Sequence, residues 1–454
     1  MGFSPLLTMN RYLLTALLFI FGSTLNADCC GGPGPVNAVQ IGNLRRDFPL
    51  VKQDIDSKRS IPVEEKSKNL SYSGDLRVIW AHLTERINCA KVRGGTISEI
   101  QSVTSDCLCD DGINCASNGD FIPFPSDIYG IEFNFYVDYV QDRAWGVAWV
   151  QYANAAGLVG SLRTCRIKQA CRGSGTCEGV CLRKAYIGYN VLANGCARVD
   201  VEVGRRPLWS IFDSRVQFEQ NFDGILFSNS LNLGCSDLYL NGGAFIIDQR
   251  SYHTGYIGEL GYLNILNSGF DFKYSVVDWS KRGPNRCGIK NAIGNQFVVS
   301  QFTGYYNLDF DFLWNNAQFY GAFLINTNAR RLPVFLNRKE NIGWYAGFLM
   351  GQVCKEGDWA LDVNYQYVEA FAIPECDVSG IGLGNSLDNC FACGDNPGTA
   401  RGRTNYQGWR FEALYAFTDN LVLDTVLQFA HQIDKRIGGR HTYSNFQLQA
   451  IYAF

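Results

Sequence analysis

The sequence predicts an all-β fold, a transmembrane antiparallel up-and-down β-barrel of about 16 strands with long loops at one rim and short turns at the other. Three observations predict it. The chain carries 30 Phe, 23 Tyr, 9 Trp and 47 Gly at only 18% charged residues, a balance that suits strands and turns better than helix bundles. Apolar residues recur with a period of two over segments of 9–13 residues, the length a tilted strand needs to cross a bilayer. Long and short connections then alternate along the chain, as an up-and-down wall requires.

The N-terminal apolar run, Tyr12 to Phe21, follows Arg11 and leads to Leu25-Asn26-Ala27, so residues 1–27 read as a signal peptide. Residues 28–68 form a charged arm in which Ile41, Leu44, Phe48, Val51 and Ile55 have loosely helical spacing; a short periplasmic helix or an irregular arm is expected there. From 69 to 454 the period is two. No later stretch has 18 uninterrupted apolar residues, so any spanning there falls to strands.

Ile131, Phe133, Phe135, Val137 and Tyr139 alternate with Glu132, Asn134, Tyr136 and Asp138, and Trp359 to Tyr367 repeats the pattern against Asp358 and Asp362. One face of such a strand is greasy and the other wet. In a barrel the wet face lines the lumen, which makes Glu132, Asp138, Asp358 and Asp362 lumen-facing candidates. The expected strands are 70–80, 129–140, 142–153, 183–192, 196–205, 221–229, 236–247, 253–265, 269–279, 295–307, 316–327, 341–353, 357–369, 405–417, 420–431 and 443–454. Two connections break the rhythm: 248–252 is short for an outer loop and 308–315 long for a turn. Trp80, Tyr139, Trp279, Trp359 and Tyr367 fit aromatic girdles at the bilayer interfaces, with plain cross-strand packing as the alternative. In the last strand Phe446, Leu448, Ala450, Tyr452 and Phe454 share one phase, the pattern read by barrel-assembly machinery.

A net charge of -3 leaves no broad basic surface, so nucleic acid is not an expected partner. His82, His253, His431 and His441 have no serine or carboxylate context, and G-x-S-x-G, H-E-x-x-H and phosphate-loop motifs are missing. Neither an enzyme nor a cofactor is expected. The 17 cysteines all follow Ala27, and in an oxidising envelope such a set reads as disulfides. Cys107, Cys109 and Cys115 share one long loop, and Cys165, Cys171, Cys177 and Cys181 lie in or beside the next. Cys376, Cys390 and Cys393 share a third. These would staple the loops; the odd total leaves at least one thiol free or bonded to another molecule, with Cys29 and Cys30 as candidates for such a bond. Cys390 and Cys393 with Cys376 fit a zinc site poorly, since a second close pair is missing.

Further motifs carry a resemblance. Leu70-Ser71-Tyr72-Ser73-Gly74-Asp75-Leu76-Arg77, Val203-Gly204-Arg205-Arg206-Pro207 before Phe222-Asp223-Gly224, Gly357-Asp358-Trp359-Ala360-Leu361 with Asn364-Tyr365, Thr404-Asn405-Tyr406-Gln407-Gly408, and Tyr415-Ala416-Phe417-Thr418-Asp419-Asn420-Leu421 resemble a porin family of Gram-negative outer-membrane barrels. The cysteine content is similar to that of the major outer-membrane porins of chlamydia-like bacteria. The resemblance covers most of the chain beyond the leader. It implies a bacterial outer-membrane location, embedding in lipid, passive diffusion of ions and small hydrophilic solutes, and a homotrimer. It also implies that the third outer loop folds inward, which places Arg205, Arg206, Asp213, Arg215, Glu219 and Asp223 at a pore constriction; ordinary solvated rim charges are the alternative. The cysteine-bearing insertions depart from the family and favour a second possibility, a disulfide-crosslinked structural envelope protein or adhesin.

Overall fold

A computed structural model describes residues 61–62, 69–91, 126–155, 180–194, 196–219, 221–248, 253–281, 297–308, 317–374, 377–381, 397 and 402–454. The leader, most of the arm and the long cysteine-bearing loops therefore lie outside the described residues. Cys29, Cys30, Cys107, Cys109, Cys115, Cys165, Cys171, Cys177, Cys376, Cys390 and Cys393 lie there too.

Sixteen long strands make the wall: β1 (Leu70–Ile87), β2 (Asp127–Gln141), β3 (Ala144–Ala155), β4 (Val180–Ala193), β5 (Ala197–Pro207), β6 (Asn221–Asn232), β7 (Asp237–Asp248) and β8 (His253–Leu263), then β9 (Phe270–Lys281), β10 (Phe297–Leu308), β11 (Ala317–Asn326), β12 (Ile342–Gly351), β13 (Trp359–Val368), β14 (Tyr406–Ala416), β15 (Leu421–Gln432) and β16 (His441–Ala453). Each pairs antiparallel with the next, and β16 pairs with β1 from His441↔Ile87 to Ala453↔Asp75. The sheet closes on itself without a free edge, which is how a strand wall pairs its backbone groups in a bilayer. Every expected strand is present, and β1 runs on to Ile87 where 80 was expected. The two irregular connections do not change the count, because β7 pairs with β8 and β10 with β11. In the arm, Ile61–Pro62 adds a short antiparallel pair to β1 at Tyr72 and Ser71; Ala90–Lys91 does the same at Ile87 and Arg86.

Alternation along the strands turns this wall inside out relative to a soluble protein. In β13 Ala360, Asp362, Asn364, Gln366 and Val368 point inward and are buried, while Trp359, Leu361, Val363, Tyr365 and Tyr367 point outward. In β15 Asp424 and Gln428 point inward and Phe429 outward. The outer surface exposes Val78, Ile131, Ile187, Phe319, Trp409 and Phe429, each at 45% or more. An apolar belt of that extent has lipid as its natural solvent. Tyr139 and Tyr367 share the outward face, but Trp279 does not belong to a girdle: it points inward, fully buried, edge-on to Phe245. Its place at a strand end suggested an interface, whereas its phase in β9 puts it with Val277 on the inner face.

A constricted lumen as the candidate functional site

The connection between β5 and β6 does not stand out in water. Its first turn, Leu208–Ser210, is a short 3₁₀ helix set by Pro207 at φ -65, with all three residues buried. Leu208, Ile211, Phe212, Val216 and Phe218 then pack in one apolar cluster with Phe245, Ile257, Val277, Trp279 and Val299 from the inner wall. These side chains are 5% exposed or less, and keeping them from water holds the segment inside the barrel.

Polar anchors fix its course across the lumen. Lys273 of β9 donates from Nζ to the Asp213 carboxylate at 2.7 Å, and the Tyr305 hydroxyl of β10 donates to the same oxygen. The Asp213 N–H donates to Glu259 of β8 at 3.2 Å, while Gln301 of β10 donates to its carbonyl. Arg215 reaches further round the same wall, where Nη2 lies 2.9 Å from Asp362 of β13 and the guanidinium sits 4.7 Å from the Tyr320 ring. Burial opposes the charge on Arg215, yet Asp362 together with Tyr320, Tyr305 and Glu412 more than offsets it, and the group's proton affinity rises above the ordinary arginine value.

A second inward segment follows β13, with Ala370, Phe371, Ala372, Ile373, Val378 and Ile381 buried in the same cluster. It locks onto the first. The Phe218 N–H donates to Asp377 Oδ2 at 3.0 Å and the Glu219 N–H to the Asp377 carbonyl at 3.3 Å. In return the Ser379 N–H donates to the Val216 carbonyl at 2.8 Å and its hydroxyl to the Gln217 carbonyl at 3.2 Å. Gly380, at φ +63, lies against the Arg215 carbonyl where a Cβ would collide. Sequence reasoning missed this segment. The signal was present in Ala370-Phe371-Ala372-Ile373, an apolar run opening a loop otherwise rich in Gly, Asp and Cys.

The residues expected at the constriction therefore divide. Asp213 and Arg215 lie in the lumen, Asp213 tied to β9 and β10 and Arg215 to β13, and Glu219 lies where that segment meets Asp377. Arg206 is also interior, but it is tied to Glu202 of its own strand and to Ser210. Arg205 and Asp223 are not in the lumen. They form a two-pronged cross-strand pair, 2.6 Å in both arms, on the outward face shared with Val203 and Ile225. One step of strand phase separates Arg205 from Arg206 and sends them to opposite sides of the wall.

Of the carboxylates expected in the lumen, Asp362 faces it and holds Arg215. Glu132 faces it as well, accepting from Asn134 at 2.8 Å and Gln151 at 2.6 Å, with Arg77 at 3.7 Å. Asp138 has the inward phase of β2. Asp358 does not line the lumen: it sits in the β12–β13 turn and accepts the N–H groups of Cys354 and Lys355 at 3.0 and 2.9 Å, a local turn contact that its sequence alternation hid. Phe446, Leu448, Tyr452 and Phe454 all point outward from β16 and its end. Cys181, expected in a staple, has a free, exposed thiol, as do Cys89, Cys235 and Cys354.

Above the strand ends, Glu340, Glu369, Asp434, Arg338 and Arg436 line a cleft of about 460 Å³ at the long-loop rim. The Glu340 side chain is 8% exposed. Burial, followed by repulsion from Glu369 and Asp434, pushes its carboxyl up to about 7. Asp434 moves the other way, held below the usual carboxylate value first by its hydrogen bond from Arg436.

Fold and interior together define a class: a closed sixteen-stranded barrel with a lipid-compatible exterior and a polar, narrowed interior. Among solved structures it is similar to OprB of Pseudomonas putida at high pH (11% identity over 85% of this chain and 94% of that one, TM-score 0.47). It is also similar to Salmonella typhi OmpF in complex with daunomycin (11%, 85% and 98%, TM-score 0.45) and to a triple mutant of the Rhodopseudomonas blastica porin (9%, 85% and 100%, TM-score 0.38). No protein-family profile and no curated sequence matches the chain.

Proposed function

We propose that the protein is a porin-type channel of the bacterial outer membrane, passing ions and small hydrophilic solutes down their gradients without turnover chemistry. The observation that carries this reading is the interior: the 208–219 segment folds into the barrel, packs on the inner wall and is tied by Arg215 to Asp362 of β13, so it narrows the lumen. A narrowed lumen with polar and charged side chains on its wall favours polar solutes over apolar ones. Export through the 1–27 leader, insertion by assembly machinery reading Phe446 to Phe454, and a homotrimeric assembly belong to the same proposal. Purified, refolded protein in a planar bilayer tests it: stepwise conductance is expected, and a heat-modifiable barrel that gives none refutes it.

A second role rests on the free, exposed thiols. Cys89 and Cys181 lie at the long-loop rim, and Cys235 and Cys354 at the turn rim, so bonds to other envelope proteins are open on both sides. Non-reducing gels of whole envelopes test it, with reducible oligomers expected.

A further inference from the structure

The rim cleft holds an acceptor and donors that the fold leaves unmatched. Three carboxylates from three elements line it: Glu340 in the β11–β12 connection, Glu369 at the end of β13 and Asp434 in the β15–β16 connection. Two of them are engaged. Glu369 accepts the Ile342 N–H at 2.8 Å on one oxygen and the Tyr367 hydroxyl at 3.3 Å on the other. Asp434 accepts from Arg436 on both oxygens. Glu340 is different: its side chain is 8% exposed, and among the described residues no hydrogen bond reaches its carboxylate, the nearest cation being Arg338 at 4.0 Å. Arg338 is half exposed and has only ion contacts, 3.5 Å to Asp434 and 4.0 Å to Glu340. Lys435, on the same cleft, is exposed without a partner among the described residues.

A buried carboxylate without a donor is costly, and repulsion from Glu369 and Asp434 adds to the cost. A ligand that relieves it brings an N–H donor with positive charge, which a primary ammonium has and a quaternary one lacks. Arg338 and Lys435 call for an anion in the same molecule, because both bind phosphate through charge-assisted hydrogen bonds. The cleft, about 460 Å³, has room for such a headgroup. The wall beside it favours a lipid over a soluble zwitterion. Tyr367 belongs both to the cleft and to the outward face of β13. Its ring stacks on Trp344 of β12 at 5.8 Å, Trp344 meets Tyr365 at 5.5 Å, and Tyr365 meets Trp409 of β14 edge-on at 5.0 Å. Trp344 and Trp409 are exposed on that face. The charged cleft therefore runs into an aromatic patch of the kind that sits at headgroup level in a bilayer, the same order of polar and apolar groups as in an amphiphile. We propose that the cleft and patch bind one phospholipid with an ethanolamine headgroup: the phosphate against Arg338 and Lys435, the ammonium against Glu340, and an acyl chain over Trp344 and Trp409. The site lies on the outer wall and does not depend on whether the lumen conducts.

The test is native mass spectrometry of the full-length refolded barrel, released from detergent micelles at pH 8 that contain equal amounts of phosphatidylethanolamine, phosphatidylcholine and phosphatidylglycerol. Retention of one ethanolamine lipid over the other two is expected. Glu340→Gln and Arg338→Ala should each lower that retention about tenfold, the effect of losing one hydrogen bond to a charged group, whereas Lys355→Ala at the turn rim should change nothing. Trp344→Ala should weaken retention of the lipid but not binding of soluble phosphoethanolamine. The heat-induced mobility shift shows which variants fold, and if one does not, the wild-type preference among the three lipids decides. Equal retention of ethanolamine and choline lipids, a preference for phosphatidylglycerol, or unchanged retention in Glu340→Gln overturns the site. Soluble phosphoethanolamine binding as tightly as the lipid overturns a lipid as its occupant. The presence or absence of current bears on the channel reading alone.

Discussion

Gly74 and Phe454 exchange both backbone hydrogen bonds, Gly74 N–H to the Phe454 carbonyl at 3.0 Å and Phe454 N–H to the Gly74 carbonyl at 2.9 Å. The Phe454 ring covers the glycine on the outer face and stacks on Phe133 with centroids 6.3 Å apart. The last pair of the closing seam therefore depends on a missing side chain: a Cβ at Gly74 would lie 2.6 Å from Phe454 Cζ and 2.7 Å from the Asn134 carbonyl. The ring can swing away, but the carbonyl belongs to the ladder. Gly74→Ala is expected to destabilise the seam by about 1–3 kcal/mol, in the range of an overpacked site. A lower temperature for the heat-induced mobility shift on gels would register it; an unchanged shift would show that the seam tolerates the methyl group.

Removing Asp362 leaves Arg215 buried without its carboxylate. Breaking a buried pair in this way costs about 3–5 kcal/mol, and here the cost is met by release of the 208–219 segment rather than by loss of the wall. Asp362→Ala should keep its heat-modifiability while the segment becomes open to proteolysis and the mean conductance rises. Equal conductance and equal protease resistance would contradict the anchor.

Asp377 joins the two inward segments. Asp377→Ala removes the acceptor of the buried Phe218 N–H, a loss of about 1–3 kcal/mol, and should produce noisier single-channel currents as the segments separate and rejoin. Quiet, wild-type steps would mean that apolar packing alone holds them together.

Arg205 was expected at the constriction but lies outside with Asp223. Its exposed pair is worth about 1 kcal/mol or less. Arg205→Ala should alter neither the reversal potential nor the conductance. A changed ion preference would place the side chain back in the passage.

At the rim cleft the sign of the pH effect follows from Glu340. Its carboxyl is raised from 4.5 to about 7, so between those values the folded form binds more protons than the unfolded one, and stability falls as pH rises through that window. Below it Glu340 is protonated in both forms, and above it the penalty stays constant. Glu340→Gln should therefore resist proteolytic nicking of the 327–341 loop better than wild type at pH 8, and the two should match near pH 4. Parallel behaviour at both pH values would refute the assignment.

The period of two, sustained over sixteen segments of bilayer length, determined the wall, its strand count and the lipid-facing phase of Phe446 to Phe454, because side-chain direction in a strand follows from position alone. The same rule, applied to Arg205 and Arg206, would have separated them had the strand been known to continue to Pro207. Only the tertiary structure decided what happens where that rule stops. Asp358 ended in a turn, and residues 370–374 and 377–381 turned inward, where Asp377 and Ser379 bond to the 208–219 segment. Those outcomes depend on which distant side chains share one enclosed volume, and local sequence periodicity does not encode that.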